Sequence, residues 1–87
     1  MTYNLEYKSS VKKELRKLNK DDRSSVINKI KLLASNPRPS YSTKLKGSRD
    51  LFRIRHGDYR IIYQIQKDVL IIIIVKVGHR REIYKNL

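Results

Sequence analysis

The stretch Leu51-Phe52-Arg53-Ile54-Arg55-His56-Gly57-Asp58-Tyr59-Arg60-Ile61-Ile62-Tyr63 decides the fold. Apolar and basic side chains alternate from Leu51 to Arg55, Gly57-Asp58 is a turn pair, and Tyr59 opens a second extended run that continues to Gln66. Period-two patterning on both sides of a glycine-containing pair reads as a β-hairpin. With Gly57-Asp58 as a two-residue turn, His56 faces Tyr59, and the register follows. Arg55 lies opposite Arg60, Ile54 opposite Ile61, Arg53 opposite Ile62 and Phe52 opposite Tyr63. Directly opposed residues share a face of the ribbon. Phe52, Ile54, Ile61 and Tyr63 therefore line one side, and Arg53, Arg55 and Arg60 line the other.

Working outward, Lys67-Asp68 reads as a second turn, and the run Val69-Leu70-Ile71-Ile72-Ile73-Ile74-Val75 follows it. A run without a polar face predicts a central strand covered on both sides. This register sets Tyr63 opposite Ile72, Ile61 opposite Ile74 and Arg60 opposite Val75. The tail then leaves beside the arginine face, bringing His79, Arg80, Arg81 and Tyr84 to it. On the other flank, Tyr3, Leu5 and Tyr7 alternate as a short strand. Ser9 and Ser10 are positioned to cap a helix with Val11, Leu15 and Leu18 on one stripe. Asp21 or Asp22 caps a second helix with Val26, Ile27, Ile30, Leu33 and Ala34 on its apolar side. Asn36-Pro37 ends that helix, because the residue before proline avoids helical angles. The short Asn19-Lys20 break makes the two helices an antiparallel hairpin, and residues 37–50 read as a loop carrying Lys44, Lys46 and Arg49. The expected fold is α+β: an N-terminal strand, and a helix hairpin packed on one face of a mainly antiparallel four-stranded sheet, in one domain over residues 1–87.

Composition narrows the function. In 87 residues, Lys and Arg total 21 against 8 Asp and Glu, a formal charge of +13. Such a field favours a polyanionic partner, and so small a domain leaves little room for an enclosed metabolite pocket. Cysteine is absent and His56 and His79 are the only histidines, which excludes disulfides, thiolate chemistry and a multi-histidine metal centre. No metal site or cofactor is expected. The start lacks the apolar core of an export signal, and the seven-residue apolar run falls short of the roughly 20 that a membrane helix needs. The expectation is a cytoplasmic protein with no membrane partner. Most of the arginines lie in the second half of the chain, where the planar guanidinium fork suits phosphate.

Like charges directly across a strand pair cost a few tenths to about 1 kcal/mol. Arg55 opposite Arg60, with Arg53 beside them, is an expensive arrangement in isolation. A bound anion relieves it; a merely solvated basic face is the alternative.

The segment Leu51–Tyr63, together with Val77-Gly78-His79-Arg80-Arg81-Glu82-Ile83-Tyr84 and the upstream Lys44-Leu45-Lys46-Gly47, resembles the RelE family of bacterial and archaeal toxins, and the likeness runs over the whole chain. The resemblance implies the toxin of a type II toxin–antitoxin pair that cuts mRNA in the ribosomal A site. It also implies contacts to rRNA and neutralisation by a RelB-like antitoxin in a hetero-oligomer. The related ParE branch shares the fold but poisons DNA gyrase; Arg80 and Tyr84 match the tail of the nuclease branch. A basic RNA-binding module without catalysis is a third reading.

RNA is cut without metal when the 2′-hydroxyl attacks the adjacent phosphorus. The site must accept that proton, stabilise a more anionic phosphorane and protonate the leaving oxygen. Arg53, Arg55 and Arg60 are the expected phosphate clamp, each such donor worth about 3–4 kcal/mol. By resemblance, Arg80 acts on the leaving-group side. Tyr84 orients the 2′-hydroxyl or stacks on a base, at roughly 1–3 kcal/mol per base. Lys44, Lys46 and Arg81 are expected on the RNA backbone. The family's well-characterised nucleases carry lysines where this chain has Arg53 and Arg55. Arginine is a poor base, so Arg55 acts electrostatically or His79 or Tyr84 takes the proton, histidine having an ordinary pKa near 6.5.

Overall fold

A turn dictates the central hairpin, and the chain obeys it. In a computed structural model, which describes residues 2–79, β3 (Leu51–His56) and β4 (Tyr59–Gln66) pair antiparallel with His56 opposite Tyr59, Arg55 opposite Arg60, Ile54 opposite Ile61, Arg53 opposite Ile62 and Phe52 opposite Tyr63. Gly57 takes φ +57°, the left-handed value that the first position of such a tight turn requires and that glycine adopts without a Cβ clash.

The next hairpin departs from the expected register. β5 (Ile71–His79) pairs with β4 so that Tyr63 meets Ile74 and Ile65 meets Ile72, and Arg60 meets Gly78 rather than Val75. Two causes act. Lys67-Asp68 has no glycine or asparagine for a primed two-residue turn, so the chain turns over four residues, Lys67 to Leu70, with Leu70 at φ +55°. A slip of two residues keeps every side chain on its face, so hydrophobic patterning cannot choose between the two registers; turn chemistry does. The second cause is a bulge opposite the Ile62/Tyr63 step, which leaves Val75 as the extra residue. Without it, strict alternation would aim Lys76 into the core beside Ile72 and Ile74. With it, Val77 lies opposite Ile61 and is buried, and Lys76 lies opposite Ile62 on the other face.

The strand also starts later than expected. Val69 is exposed and belongs to the turn, while Ile71, Ile73 and Val75 are half-buried rather than fully covered on the second face. β1 (Asn4–Tyr7) runs parallel to β5, Leu5 beside Ile72 and Tyr7 beside Ile74. A two-residue strand, β2 (Thr43–Lys44), lies within the stretch expected to be loop and pairs with β3. The sheet is thus five-stranded and mixed, in the order β1-β5-β4-β3-β2, not four-stranded.

The helix hairpin covers one face. α1 (Ser9–Arg16) buries Val11 and Leu15; α2 (Lys20–Leu32) buries Val26 and Ile30; Leu18 and Leu33 complete the stripe. They meet Phe52, Ile54, Ile61, Tyr63, Ile65, Ile72, Ile74 and Val77 in one cluster. The caps differ from expectation. Lys8 is the N-cap of α1, with no side-chain bond, so Ser9 and Ser10 lie inside the helix. Asn19 caps α2, its Oδ1 accepting from the Asp22 backbone N–H at 2.8 Å while its amide donates to the Asp22 carboxylate at 3.0 Å. Asp21 and Asp22 sit in the first turn, where they complement the helix dipole. β1 ends at Tyr7 opposite Ile74, so the second half of β5, from Val75 to His79, has no strand on that side. The Glu14 carboxylate of α1 fills the gap, accepting from the Val77 backbone N–H at 3.0 Å. No helix among the described residues is long and apolar enough to cross a membrane.

Candidate functional site

The sheet face away from the helices is built in rows. Across β2, β3, β4 and β5 the register aligns Thr43, Arg53, Ile62 and Lys76; one step along, Arg55, Arg60 and Gly78 align. Alternation from the Gly57 turn fixes the arginines on this side, and the Val75 bulge brings Lys76 to it. Gly78 has no side chain to stand over Arg60. Arg55 is exposed. Arg53 and Arg60 are half-buried, with the Nε atoms of both and one Nη of Arg60 out of contact with solvent. Guanidinium groups so placed exert their charge through less water than a surface cation does.

The edge beside β2 and β3 opens into a hollow of about 500 Å³ lined by Lys29, Ser40, Tyr41, Ser42, Thr43, Arg53 and Arg55. Three cations and a set of hydroxyls share it. Tyr41 is nearly half exposed, and the Lys29 ammonium stands 4.7 Å from the centre of its ring.

Other expected site residues lie elsewhere. Lys44 is exposed but opposite Phe52, so its register places it on the helix-covered side of the sheet edge rather than among the arginines. Lys46 is exposed in the turn between β2 and β3. His79 stands opposite Tyr59, on the face that carries Ile61, Tyr63 and the helices, and its ring meets Tyr59 edge-on at 6.1 Å. The expected delivery of His79 to the arginine face therefore fails: β5 continues two residues past Val77 before the tail begins, and the bulge has reversed the alternation. His56, Tyr59 and His79 form a row across three strands, beside a hollow of about 290 Å³ that Asp22 and Asp58 also line. Arg80, Arg81 and Tyr84 lie outside the described residues.

Tyr59 and Tyr63 are poorly suited to proton transfer. Burial pushes the Tyr63 phenol up to about 12, and its hydroxyl donates to the Pro37 carbonyl at 2.7 Å. Desolvation and the neighbouring Asp22 carboxylate also raise Tyr59. Both face the helices, as a core role requires. Among the described residues no three His, Asp or Glu side chains gather where they could hold a metal ion.

Four residues of this surface were not anticipated. Lys76 had a signal: a lysine at a core phase in an otherwise apolar strand demands a bulge. Lys29, Tyr41 and Thr43 had none, since only the fold brings α2 and the following loop to the edge of β3.

The protein is thus a small, strongly basic α+β domain with three arginines on one face of its sheet. The sequence profile of the ParE toxin of type II toxin–antitoxin systems, parDE, matches residues 5–84. The mRNA interferase toxin RelE of Escherichia coli K12 is 31% identical over 99% of this chain and 94% of its own. In a solved RelE–RelB complex from Pyrococcus horikoshii the matching chain is 32% identical, with a TM-score of 0.82 over 94% of this chain and 99% of that one. The isolated RelE of E. coli is 28% identical, with a TM-score of 0.79 over 88% of this chain and 83% of that one. The chain belongs to the RelE/ParE family of type II toxin–antitoxin toxins.

Proposed function

We propose that this protein is a cytoplasmic mRNA endoribonuclease that acts on messages in the ribosomal A site and is silenced by a RelB-like antitoxin. The observation that carries the reading is that Arg53, Arg55 and Arg60 share the sheet face away from the helices. A relative named as an mRNA interferase, and solved complexes of relatives with RelB, support it.

In the proposed reaction the 2′-hydroxyl of the message attacks the adjacent phosphorus, and the P–O5′ bond breaks. The products are a 2′,3′-cyclic phosphate and a free 5′-hydroxyl. Arg53 and Arg60, half-buried on the sheet, and Arg55, exposed at its rim, neutralise the charge that grows on the non-bridging oxygens. The 2′-hydroxyl proton ends on the leaving 5′-oxygen in this scheme: Tyr84 serves the side that gives it up and Arg80 the oxygen that receives it, with Arg81 on the backbone. The arginines supply charge and not proton acceptance. No cofactor takes part in this scheme. In this reading His79 packs beside Tyr59, away from the clamp, and Lys44 and Lys46 bind the RNA backbone outside it.

Inducible expression with mapping of message 5′ ends tests this. New ends on translated messages, lost together with toxicity in Arg60→Ala and Arg80→Ala, are expected. The family profile carries the name of ParE, which keeps gyrase poisoning as the second reading. Growth arrest with intact messages and falling supercoiling would establish that one instead.

A further inference from the structure

The connection between α2 and β2 is tied down more firmly than a surface loop requires. The buried Tyr63 donates its hydroxyl to the Pro37 carbonyl at 2.7 Å. The backbone N–H and the Oγ of Ser42 both donate to the Pro39 carbonyl, at 2.9 and 2.7 Å, and Pro39 is itself buried. These bonds close a turn with Ser40 and Tyr41 at its corner. The Tyr41 ring stands there 47% exposed, steadied by Lys29 of α2 at 4.7 Å. Hydroxyls of Ser40, Ser42 and Thr43 and the side chains of Arg53 and Arg55 line the same hollow of about 500 Å³. That volume lies within the range of about 300–1,000 Å³ found for small-ligand sites.

A fixed aromatic face beside cations and hydroxyls matches what single-stranded nucleic acid offers: a base to stack, a backbone to neutralise, and sugar and base edges to hydrogen-bond. We propose that Tyr41 stacks the base of a nucleotide adjoining the phosphate held by Arg53 and Arg55. Lys29 sets the ring from the α2 side, and Ser40, Ser42 and Thr43 receive the sugar and base edge. The inference deepens the mRNA-cleavage reading and rests on it. Rigid presentation is what distinguishes this tyrosine from a solvated one: the loop that carries it has already lost its freedom before RNA arrives.

The chain has no tryptophan, so Tyr41→Trp gives a single reporter at the site. The full-length protein is titrated with a short 2′-O-methyl RNA, which lacks the attacking hydroxyl, and with inorganic polyphosphate, which lacks bases. The RNA quenches the reporter and polyphosphate does not. Tyr41→Ala binds the RNA about fivefold or more weakly, polyphosphate equally well, and Tyr41→Phe restores the RNA affinity. Equal RNA affinity in Tyr41→Ala, or quenching by polyphosphate as strong as by RNA, overturns the subsite. So does a loss in Tyr41→Ala confined to antitoxin binding, which would make the ring a protein contact. The two readings fail separately. If messages are cut while Tyr41→Ala binds RNA normally, the subsite alone falls. If base-dependent quenching appears and no message is cut, the ring still stacks a base and the nuclease reading alone falls.

Discussion

Arg55 and Arg60 stand directly opposite each other, and the consequence can be measured in two directions at once. Replacing Arg55, the exposed member, by threonine removes the repulsion and installs a good strand former. Opposed like charges cost about 0.2–1 kcal/mol. For a domain of this size each kcal/mol shifts the melting temperature by about 4–8 °C, so Arg55→Thr melts roughly 1–8 °C higher than the native chain in low salt. The gap narrows toward about 1 M salt, where the screening length falls to ~3 Å. The same substitution removes one phosphate donor, and message cleavage falls by about 10²–10³. Differential scanning calorimetry and a cleavage assay on ribosome-bound message read the two effects. A variant that is less stable, or one that cuts as well as the native chain, refutes the view that stability is given up on this face for anion binding.

Three further outcomes follow from the same geometry. Burial holds the Tyr63 phenol up at about 12, so the folded chain keeps a proton that the unfolded chain releases near 10. Stability from this group is full below pH 10 and is lost between 10 and 12; in urea titrations at pH 9.5–11.5, Tyr63→Phe has a shallower pH slope, while costing about 1–2 kcal/mol at neutral pH by orphaning the Pro37 carbonyl. Glu14→Ala strands the Val77 amide and lowers the unfolding free energy by about 1–3 kcal/mol in urea, whereas Glu14→Gln, which keeps an acceptor oxygen, loses much less. Binding of single-stranded RNA weakens with salt, and Arg60→Gln reduces the log–log slope by about 0.7, the value for one phosphate contact; an unchanged slope removes Arg60 from the clamp.

The first hairpin was legible because a glycine turn and strict alternation point to the same register. Five of its pairs, including Arg55 with Arg60, could be written down from Gly57-Asp58 alone. The second hairpin was not, because Lys67-Asp68 resembles a turn without the residues one needs, and a two-residue slip leaves the pattern of faces unchanged. Lys76 marked the bulge, but only in hindsight of where Val77 had to go. The placement of His79 failed with it, since one extra residue in β5 exchanges the two faces beyond Val75. The helix stripe was readable from Val11, Leu15, Val26 and Ile30; the caps were not, because Lys8 and Asn19 each start a helix one residue or more before the expected Ser and Asp. The hollow around Tyr41 depends on tertiary ties from Tyr63 and Lys29, which no local pattern encodes.

The account depends on one phosphate being gripped at one place. A short uncleavable message analogue, its linkages replaced one at a time by neutral methylphosphonate, measures this by equilibrium binding. One linkage should cost far more than its neighbours, and that excess should vanish when Arg53, Arg55 and Arg60 are all glutamine. Equal, small losses at every linkage would mean that the charge of +13 acts diffusely and that the arginine face is no clamp.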